Sequence, residues 1–305
     1  MFLKVSFARP HSPYDPPQRF LDLYKDAQIP APYLGYWDRK YEGLEGGKAA
    51  AFGDFGVEHA IESRRHYYAN ITFIDEMVGK IIQALKANGM YENALICFTS
   101  DHGDMLGDHY HWRKTYAYEG SSKVPFIIKW PESFEGQVTR GSKLDQVTEL
   151  RDFLPTFLDA ADSEIPNEMD GLSVLKLIEN PQTEWRNYID LEHATTYSEK
   201  NYWCALTDGT WKYIWFFRTG EEQLFNLKYD PGEQNNLTAN EPDELKKWRQ
   251  KMVNHLSERG EGFVKNGKLV QRTETLLYSP NYPKNERSET EKLKHWREVY
   301  KGVVK

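Results

Sequence analysis

Apolar positions along the first half of the chain predict alternating helices and strands. Over residues 58–87 apolar side chains recur at helical spacing, and Gly89 follows as a stop. Residues 94–99 and 124–130 are unalternated apolar runs, which is the pattern of strands buried on both faces of a parallel sheet. A further helix is predicted over 150–161. This alternation favours a layered α/β fold.

The pattern changes beyond about residue 180. The runs 202–207 and 211–217 flank Asp208-Gly209, a strong signal for an antiparallel hairpin, and residues 243–257 have the periodicity of a covering helix. We therefore divide the chain into an α/β unit over 1–183, an antiparallel subdomain over 184–260 and a charged extension over 261–305.

Three other segments receive weaker predictions. Residues 2–7 are strand-like, because apolar and β-branched side chains dominate the run. Residues 17–56 are rich in Pro, Gly, Tyr and Asp and predict a long ordered loop that rims a site. Residues 288–300 predict a helix in the charged extension.

Composition narrows the range of partners. The formal net charge of −7 argues against a general nucleic-acid binder, and no stretch of the 305 residues is apolar enough to span a membrane. Cys97 and Cys204 lie far apart and outside any C-x-x-C spacing, so neither a disulfide framework nor a zinc knuckle is indicated. The 9 Trp and 19 Tyr suit either a carbohydrate-facing cleft or a packed core. Localisation is left open.

The segment with the most chemistry is residues 99–114, directly after the first apolar run. Ligands of open α/β sheets bind outside the carboxyl ends of the strands, where Asp101 and His102 fall. A carboxylate beside an imidazole can ligate one cation, and Gly103 and Gly107 let the backbone turn close to a ligand. The alternative is an acidic, histidine-rich surface loop.

This stretch resembles the second metal motif of the sulfatase family, in which a strand ends in T-S-D-H-G and a lysine follows. Here the motif occupies 99–103, and Lys114 stands thirteen positions after Asp101. Other family segments recur along the chain, and they are P-H-x-P at 10–13, Y-E-G-S at 118–121, D-x-x-P-T at 152–156, G-x-S at 171–173, L-F-N-L at 224–227 and D-P-G-E at 230–233.

The resemblance implies an incomplete alkaline-phosphatase-like sheet sandwich with a smaller carboxy-terminal α+β subdomain, an antiparallel sheet plus a helix. It implies an arylsulfatase-like enzyme that hydrolyses sulfate esters, of carbohydrates above all. By that resemblance Asp101 and His102 are metal ligands, for Ca²⁺ first and for Mg²⁺ or Mn²⁺ as alternatives. His11 and Lys114 are the catalytic residues and contact the sulfate, and His11 protonates the leaving alkoxide.

The chain also departs from the family pattern. The family nucleophile is a formylglycine made within C-x-P-S-R, and neither that motif nor the amino-terminal Asp-Asp pair of the metal shell occurs in these 305 residues. We therefore expect a fragment, a truncated gene product or half of a split protein, inactive alone. The expected partners are a sulfated small molecule or saccharide and a complementary amino-terminal half, with neither nucleic acid nor membrane.

Two other functions stay open. One is a phosphodiesterase or phosphonate hydrolase of the same superfamily, since Asp-His-Gly serves those enzymes too. The other is a non-catalytic module that kept the fold.

Five other side chains are weaker candidates for the site. His109 and His111 are expected to be solvated loop histidines, and Asp104 and Asp108 either join the metal or form turns. His193 follows a strand-like run and either lines the substrate pocket or packs in the second subdomain.

Overall fold

A computed structural model describes residues 2–46, 52–134, 139–194, 200–259 and 262–272. Within them the helices are α1 (Gln18–Leu21), α2 (Val57–Ala87), α3 (Glu119–Ser122), α4 (Phe153–Ala160), α5 (Leu175–Glu179) and α6 (Pro242–Glu258). The strands are β1 (Ile96–Thr99), β2 (Phe126–Lys129), β3 (Ile189–His193), β4 (Trp203–Thr207), β5 (Trp211–Phe216), β6 (Glu222–Asn226), β7 (Val264–Lys265) and β8 (Lys268–Leu269). Short 3₁₀ turns lie at Asp22–Tyr24, Arg39–Tyr41, Asp108–Tyr110, Glu132–Phe134 and Leu150–Asp152.

The helix predicted over 58–87 is confirmed as α2. It ends where Gly89 takes a φ of +62°, a left-handed conformation that costs glycine little. The helix predicted over 150–161 is also confirmed, since the turn Leu150–Asp152 runs directly into α4. The helix predicted over 288–300 lies outside the described residues.

Strands β1 and β2 differ from the prediction in two ways. They pair antiparallel, with Ile96 opposite Lys129 and Phe98 opposite Ile127, so the expected parallel sheet is wrong for this pair. They are also incompletely buried, because Phe98 is 41% exposed and Ile127 is 61% exposed. An apolar run shows that a strand needs cover on both faces, but it does not show which segment supplies it. We call Phe98 and Ile127 the uncovered sheet face.

Residues 2–7 do not form the predicted strand. They pair with no strand among the described residues, and Phe2 and Leu3 are 77% and 62% exposed. Phe7 lines a cavity of about 350 Å³ together with side chains of α2. Asn70 of α2 also lines this cavity, and both polar atoms of its amide are buried without a hydrogen-bond partner in the part of the chain that the structure describes. A strand needs a neighbouring strand for its backbone hydrogen bonds, which explains why the predicted strand does not form here.

The antiparallel subdomain is confirmed. Strands β3 to β6 form one sheet in chain order, and β4 and β5 are joined at Asp208-Gly209 as the hairpin signal predicted. The Asp208 carboxylate accepts the backbone N–H groups of Thr210 and Trp211, and Gly209 takes a φ of +83°. Helix α6 covers one face of the sheet through a cluster that includes the fully buried Trp248.

The other face of this sheet packs on the loops that carry the candidate chemistry. A second apolar cluster joins Met105 and Tyr118 of those loops to Ile214 and Phe225 of the sheet. No helix of the described residues has the length and apolar character needed to cross a membrane. The limits placed at 183 and 260 stay predictions.

A buried charge cluster lies at the junction of loops and sheet. Lys212 of β5 is fully buried and lies 2.8 Å from a Glu119 carboxylate oxygen and 2.9 Å from one of Glu233. Burial alone would lower the Lys212 pKa, but the two carboxylates raise it instead. Lys212 therefore stays charged and ties the sheet to the start of α3.

Candidate functional site

A tight hairpin loop brings Lys114 back towards Asp101. The Met105 N–H donates to the Arg113 carbonyl at 2.7 Å and the Gly107 N–H donates to the His111 carbonyl at 2.9 Å. Gly103 donates to the Ser121 carbonyl, and a Cβ on Gly103 would lie 2.2 Å from the Gly120 carbonyl oxygen. This close approach of two backbone segments explains why glycine follows the Asp-His pair.

Asp101 and His102 offer two converging ligand atoms. Nε2 of His102 lies 3.7 Å from Oδ2 of Asp101. Nδ1 of His102 lies 2.7 Å from the Gly103 carbonyl oxygen, and since a carbonyl can only accept, Nδ1 carries the hydrogen. Nε2 therefore keeps its lone pair for a cation, as in other metal-binding histidines.

These two residues fit part of a divalent-cation site. Ca²⁺ takes six to eight ligands, and the described residues contain no cluster of three or more His, Cys, Asp or Glu side chains. The side chains of Asp101 and His102 are 86% and 28% exposed, so they leave room for further ligands.

His11 and Lys114 lie beside this pair. Nε2 of His11 is 3.1 Å from Nζ of Lys114, and Nδ1 of His11 is 2.8 Å from the Ser12 carbonyl oxygen. By the same argument Nδ1 carries the hydrogen, so Nε2 accepts from the Lys114 ammonium. The rings of His11 and His102 meet edge to face at a centroid distance of 6.1 Å. The structure therefore brings together the four residues assigned to metal and sulfate.

His193 reaches this group only through its neighbours. Its ring stacks on Trp203 at 5.9 Å, and burial lowers its pKa. The indole N–H of Trp203 and the amide of Asn201 both donate to the carbonyl of Thr115, the residue after Lys114. His193 thus supports the Lys114 segment, and its contact with substrate stays a prediction.

The expectation that His109 and His111 are solvated is wrong. They are 1% and 3% exposed. Nδ1 of His109 lies 2.7 Å from Oδ2 of the fully buried Asp38, and His111 bonds to the His109 carbonyl. Burial lowers the His111 pKa to about 3. The partner Asp38 lies in the predicted loop 17–56, which covers these histidines.

Asp108 serves the loop rather than a metal. Its carboxylate accepts the Tyr33 N–H at 2.6 Å and pairs with the buried Arg64 guanidinium at 2.5 Å. Arg64 also donates to the Leu106 carbonyl, so helix α2 is fastened to the loop. Sequence reasoning missed Arg64, because a basic residue on a helix is more often solvated.

The motifs D-x-x-P-T and G-x-S also have a structural role. The Asp152 carboxylate accepts the Leu172 N–H, and the Thr156 hydroxyl accepts the Val174 N–H. A Cβ on Gly171 would lie 1.9 Å from the Arg151 carbonyl oxygen. These residues fasten the 171–174 segment to α4, away from the four site residues.

Comparison with known families identifies this arrangement. The profile described as "Sulfatase" matches residues 1–163. The chain belongs to the sulfatase family. A second profile, described as "N-sulphoglucosamine sulphohydrolase, C-terminal", matches residues 107–261. The first match contains the four site residues, and the second contains the antiparallel sheet that supports them.

Individual members of the family and its structural neighbours are similar over most of this chain. The arylsulfatase of Clostridium perfringens (strain 13 / Type A) is 39% identical over 277 residues, which are 88% of this chain and 56% of that protein. A solved structure in complex with its substrate D-glucosamine-2-N,6-O-disulfate has a TM-score of 0.59 and 27% identity, over 67% of this chain and 42% of that one.

The phosphonate monoester hydrolase of Silicibacter pomeroyi is also similar. Its TM-score is 0.68 at 26% identity, over 82% of this chain and 54% of that one. The alkaline-phosphatase-like fold expected from the sequence is confirmed by these neighbours. The chain spans about half the length of the relatives it matches.

Proposed function

We propose that His11, Lys114, Asp101 and His102 form part of a site that hydrolyses sulfate esters, with sulfated saccharides as substrates. One observation carries this proposal. The His11 imidazole and the Lys114 ammonium meet at 3.1 Å. Beside them, the Asp101 carboxylate and the His102 imidazole lie close enough to share a cation. An anion and a cation can therefore be held next to each other.

The chemistry of sulfate-ester cleavage suits these groups. Negative charge develops on the bridging oxygen as the ester bond breaks, and a preorganised Lys114 ammonium can stabilise charge on the sulfate oxygens. When the His11 ring is doubly protonated, Nδ1 still donates to the Ser12 carbonyl, and Nε2, which then no longer accepts from Lys114, can deliver its proton to the leaving oxygen. Asp101 and His102 would hold the divalent cation, Ca²⁺ or alternatively Mg²⁺ or Mn²⁺, which supplies further positive charge to the anion.

The relatives support the substrate class. One is an arylsulfatase, and another was solved with a glucosamine disulfate as its substrate. Both names refer to sulfated compounds, an aryl sulfate in the first and a sulfated sugar in the second. The site offers the same two functions for either alcohol, sulfate binding and proton delivery.

We also propose a complementary polypeptide that supplies the nucleophile and the two further metal ligands. Three features of the described residues support it: the uncovered sheet face, residues 2–7 without a strand partner, and the buried Asn70 amide without a hydrogen-bond partner. An additional strand would give residues 2–7 a ladder partner and could reach the cavity beside Asn70.

Phosphonate monoester hydrolysis is the second candidate. The structural similarity to the Silicibacter pomeroyi enzyme favours it. In the proposed roles His11 and Lys114 face the anion and the leaving oxygen, and Asp101 and His102 face the cation. Sulfate and phosphonate esters share these requirements. Relative turnover of the two esters discriminates between the candidates.

Binding of inorganic sulfate to the chain tests the anion site directly. Calorimetric titration should detect sulfate binding that is lost in Lys114→Ala. The control Lys247→Ala removes an exposed lysine of α6 that pairs with Glu244, and it should leave the binding unchanged. Equal binding by the parent chain and Lys114→Ala would remove Lys114 from the site.

Turnover is tested in a chimera that places an amino-terminal segment of the Clostridium perfringens arylsulfatase ahead of this chain. The chimera should hydrolyse a chromogenic aryl sulfate, and Lys114→Ala should lower turnover on the order of 10²- to 10³-fold. Faster cleavage of a phenylphosphonate monoester than of the sulfate ester would favour the second candidate. Unchanged turnover in Asp101→Ala would contradict the proposed cation site.

A further inference from the structure

The Asp104 carboxylate is hydrogen-bonded to both chain segments that carry His11 and Lys114, the two residues proposed to bind the anion. Its Oδ1 accepts the backbone N–H groups of Leu106 at 3.1 Å and of Arg113 at 2.9 Å. Its Oδ2 accepts the hydroxyl of Tyr14 at 2.8 Å. Arg113 directly precedes Lys114, and Tyr14 follows His11 by three residues. A single side chain thus joins two stretches of chain that are far apart in sequence.

The Tyr14 end of this connection is fixed. Nδ1 of His66 on α2 lies 2.9 Å from the Tyr14 carbonyl oxygen, and the Tyr14 ring packs edge-on against Tyr67 of the same helix at 5.9 Å. Burial, together with the charge of Asp104, raises the pKa of Tyr14. The hydroxyl therefore keeps its proton and remains a donor to Asp104.

The Lys114 end is held in an uncommon backbone conformation. Arg113 and Thr115, on either side of Lys114, have φ values of +65° and +87°. Such conformations are strained for non-glycine residues and persist only where the surroundings impose them. Asp104 holds the Arg113 N–H, while Trp203 and Asn201 hold the Thr115 carbonyl.

We propose that Asp104 is a positioning residue that sets the separation between His11 and Lys114, through Tyr14 on one side and Arg113 on the other. The geometric role stands on the contacts above. Its importance for sulfate rests on the proposed function. Among the described contacts Asp104 bonds to neither His11 nor Lys114, so its effect on their separation is transmitted by the two backbone segments.

Three substitutions separate the two ends of the connection. Tyr14→Phe removes one hydroxyl and breaks only the bond between Asp104 and the His11 segment, which keeps its contacts with α2. Asp104→Ala releases both segments. Asp104→Asn should preserve the connection, because its amide oxygen can accept both N–H groups and its NH₂ group can donate to the Tyr14 oxygen.

The test is the ¹⁵N chemical shift of His11 Nε2 in the full chain, at fixed pH, with the signal assigned from His11→Gln. Lys114→Met gives the reference shift for Nε2 without its lysine donor. We expect Tyr14→Phe and Asp104→Ala to move the His11 signal most of the way to this reference. Asp104→Asn should keep the parent value, which a general loss of stability would not reproduce.

Tyr213→Phe is the matched control, since it also removes a tyrosine hydroxyl bonded to a carboxylate, that of Glu222 in the sheet. It should leave the His11 signal unchanged. A parent-like His11 shift in both Tyr14→Phe and Asp104→Ala would overturn the proposal, as would an equal change in Tyr213→Phe.

Inorganic sulfate binding separates this proposal from the proposed function. Tyr14→Phe should weaken sulfate binding about tenfold, the equivalent of one misplaced hydrogen bond. If the parent chain binds no sulfate but the shifts follow the expected pattern, the positioning role of Asp104 stands and the anion site fails. If sulfate binds and Tyr14→Phe changes neither shift nor affinity, the positioning role fails alone.

Discussion

Nε2 of His11 and Nζ of Lys114 lie 3.1 Å apart, although 103 residues separate them in sequence. His11 is exposed, so the bond is not forced by burial. It is made by two segments that are each fastened elsewhere, to helix α2 and to the antiparallel sheet. In the proposed site, a sulfate oxygen that entered between them would replace this one bond and would meet two groups already in position.

The proposed proton delivery predicts how His11→Ala should act in the chimera. Esters of poor leaving alcohols should lose more turnover than activated aryl sulfates, because a good leaving group needs little protonation. Steady-state rates on a glucosamine 6-sulfate and on an aryl sulfate measure the difference. An equal loss on both would assign His11 to sulfate binding instead.

The uncovered sheet face predicts that the isolated chain self-associates, because apolar side chains on a sheet with free edges favour strand pairing between molecules. Sedimentation velocity should show species larger than the monomer, and Ile127→Lys should reduce them. Tyr229→Ser changes an 81% exposed aromatic outside the sheet face and should have no effect. A monodisperse monomer with one cooperative unfolding transition would contradict this prediction.

The buried His111 predicts a pH dependence of stability. Its pKa of about 3 in the folded chain lies below the ordinary value of 6.5, so between these values the unfolded chain binds the proton and the folded chain does not. The contribution of His111 to the free energy of unfolding is complete above about pH 6.5. It is lost as the pH falls towards 3, by up to about 1.4 kcal/mol per pH unit.

Urea unfolding between pH 6 and 4 measures this slope. His111→Gln should flatten the pH dependence of the free energy of unfolding, even if it lowers stability overall. His255→Gln removes a histidine of α6 and serves as the control. The same slope in the parent chain and in His111→Gln would contradict the assignment.

Replacement of Lys212 should be severe. Lys212→Met leaves the buried Glu233 carboxylate without its cation and leaves Glu119 only the exposed Lys123, which costs about 3–5 kcal/mol in free energy of unfolding. Glu233→Gln added to Lys212→Met should recover part of that loss. Lys247→Met breaks an exposed pair and should cost less than about 1 kcal/mol. A loss below about 1 kcal/mol for Lys212→Met would show that the cluster is not essential.

Local signals in the sequence predicted the elements that depend on local physics. Helix α2 follows from spacing and from the glycine after it, and the β4–β5 hairpin follows from Asp208-Gly209. The gathering of His11, Asp101, His102 and Lys114 was expected only through the family resemblance, since periodicity carries no information on contacts across 103 residues.

Contacts between distant polar residues were missed. His109 reads as a loop histidine because its partner Asp38 lies 71 positions earlier, in a segment without periodicity. For Asp104 the sequence leaves open a metal ligand or a turn residue beside Gly103, and its bond to Tyr14 crosses 90 positions and leaves no local signal. The antiparallel pairing of β1 and β2 was missed for a related reason, because an apolar run specifies burial and not direction.

The Lys212 cluster has a consequence for how such genes can be rearranged. Glu119 stands five residues after Lys114, but Lys212, the buried cation that it shares with Glu233, comes from β5, far along the chain. A recombination event with a breakpoint between 119 and 212 would place Glu119 against a foreign sheet and leave it only its exposed partner Lys123, so the segment that carries Lys114 would lose its buried attachment to the sheet. The segment that carries Lys114 and the antiparallel sheet should therefore be inherited together. Recombinant genes that separate them should encode proteins in which the Lys114 segment is no longer attached to the sheet.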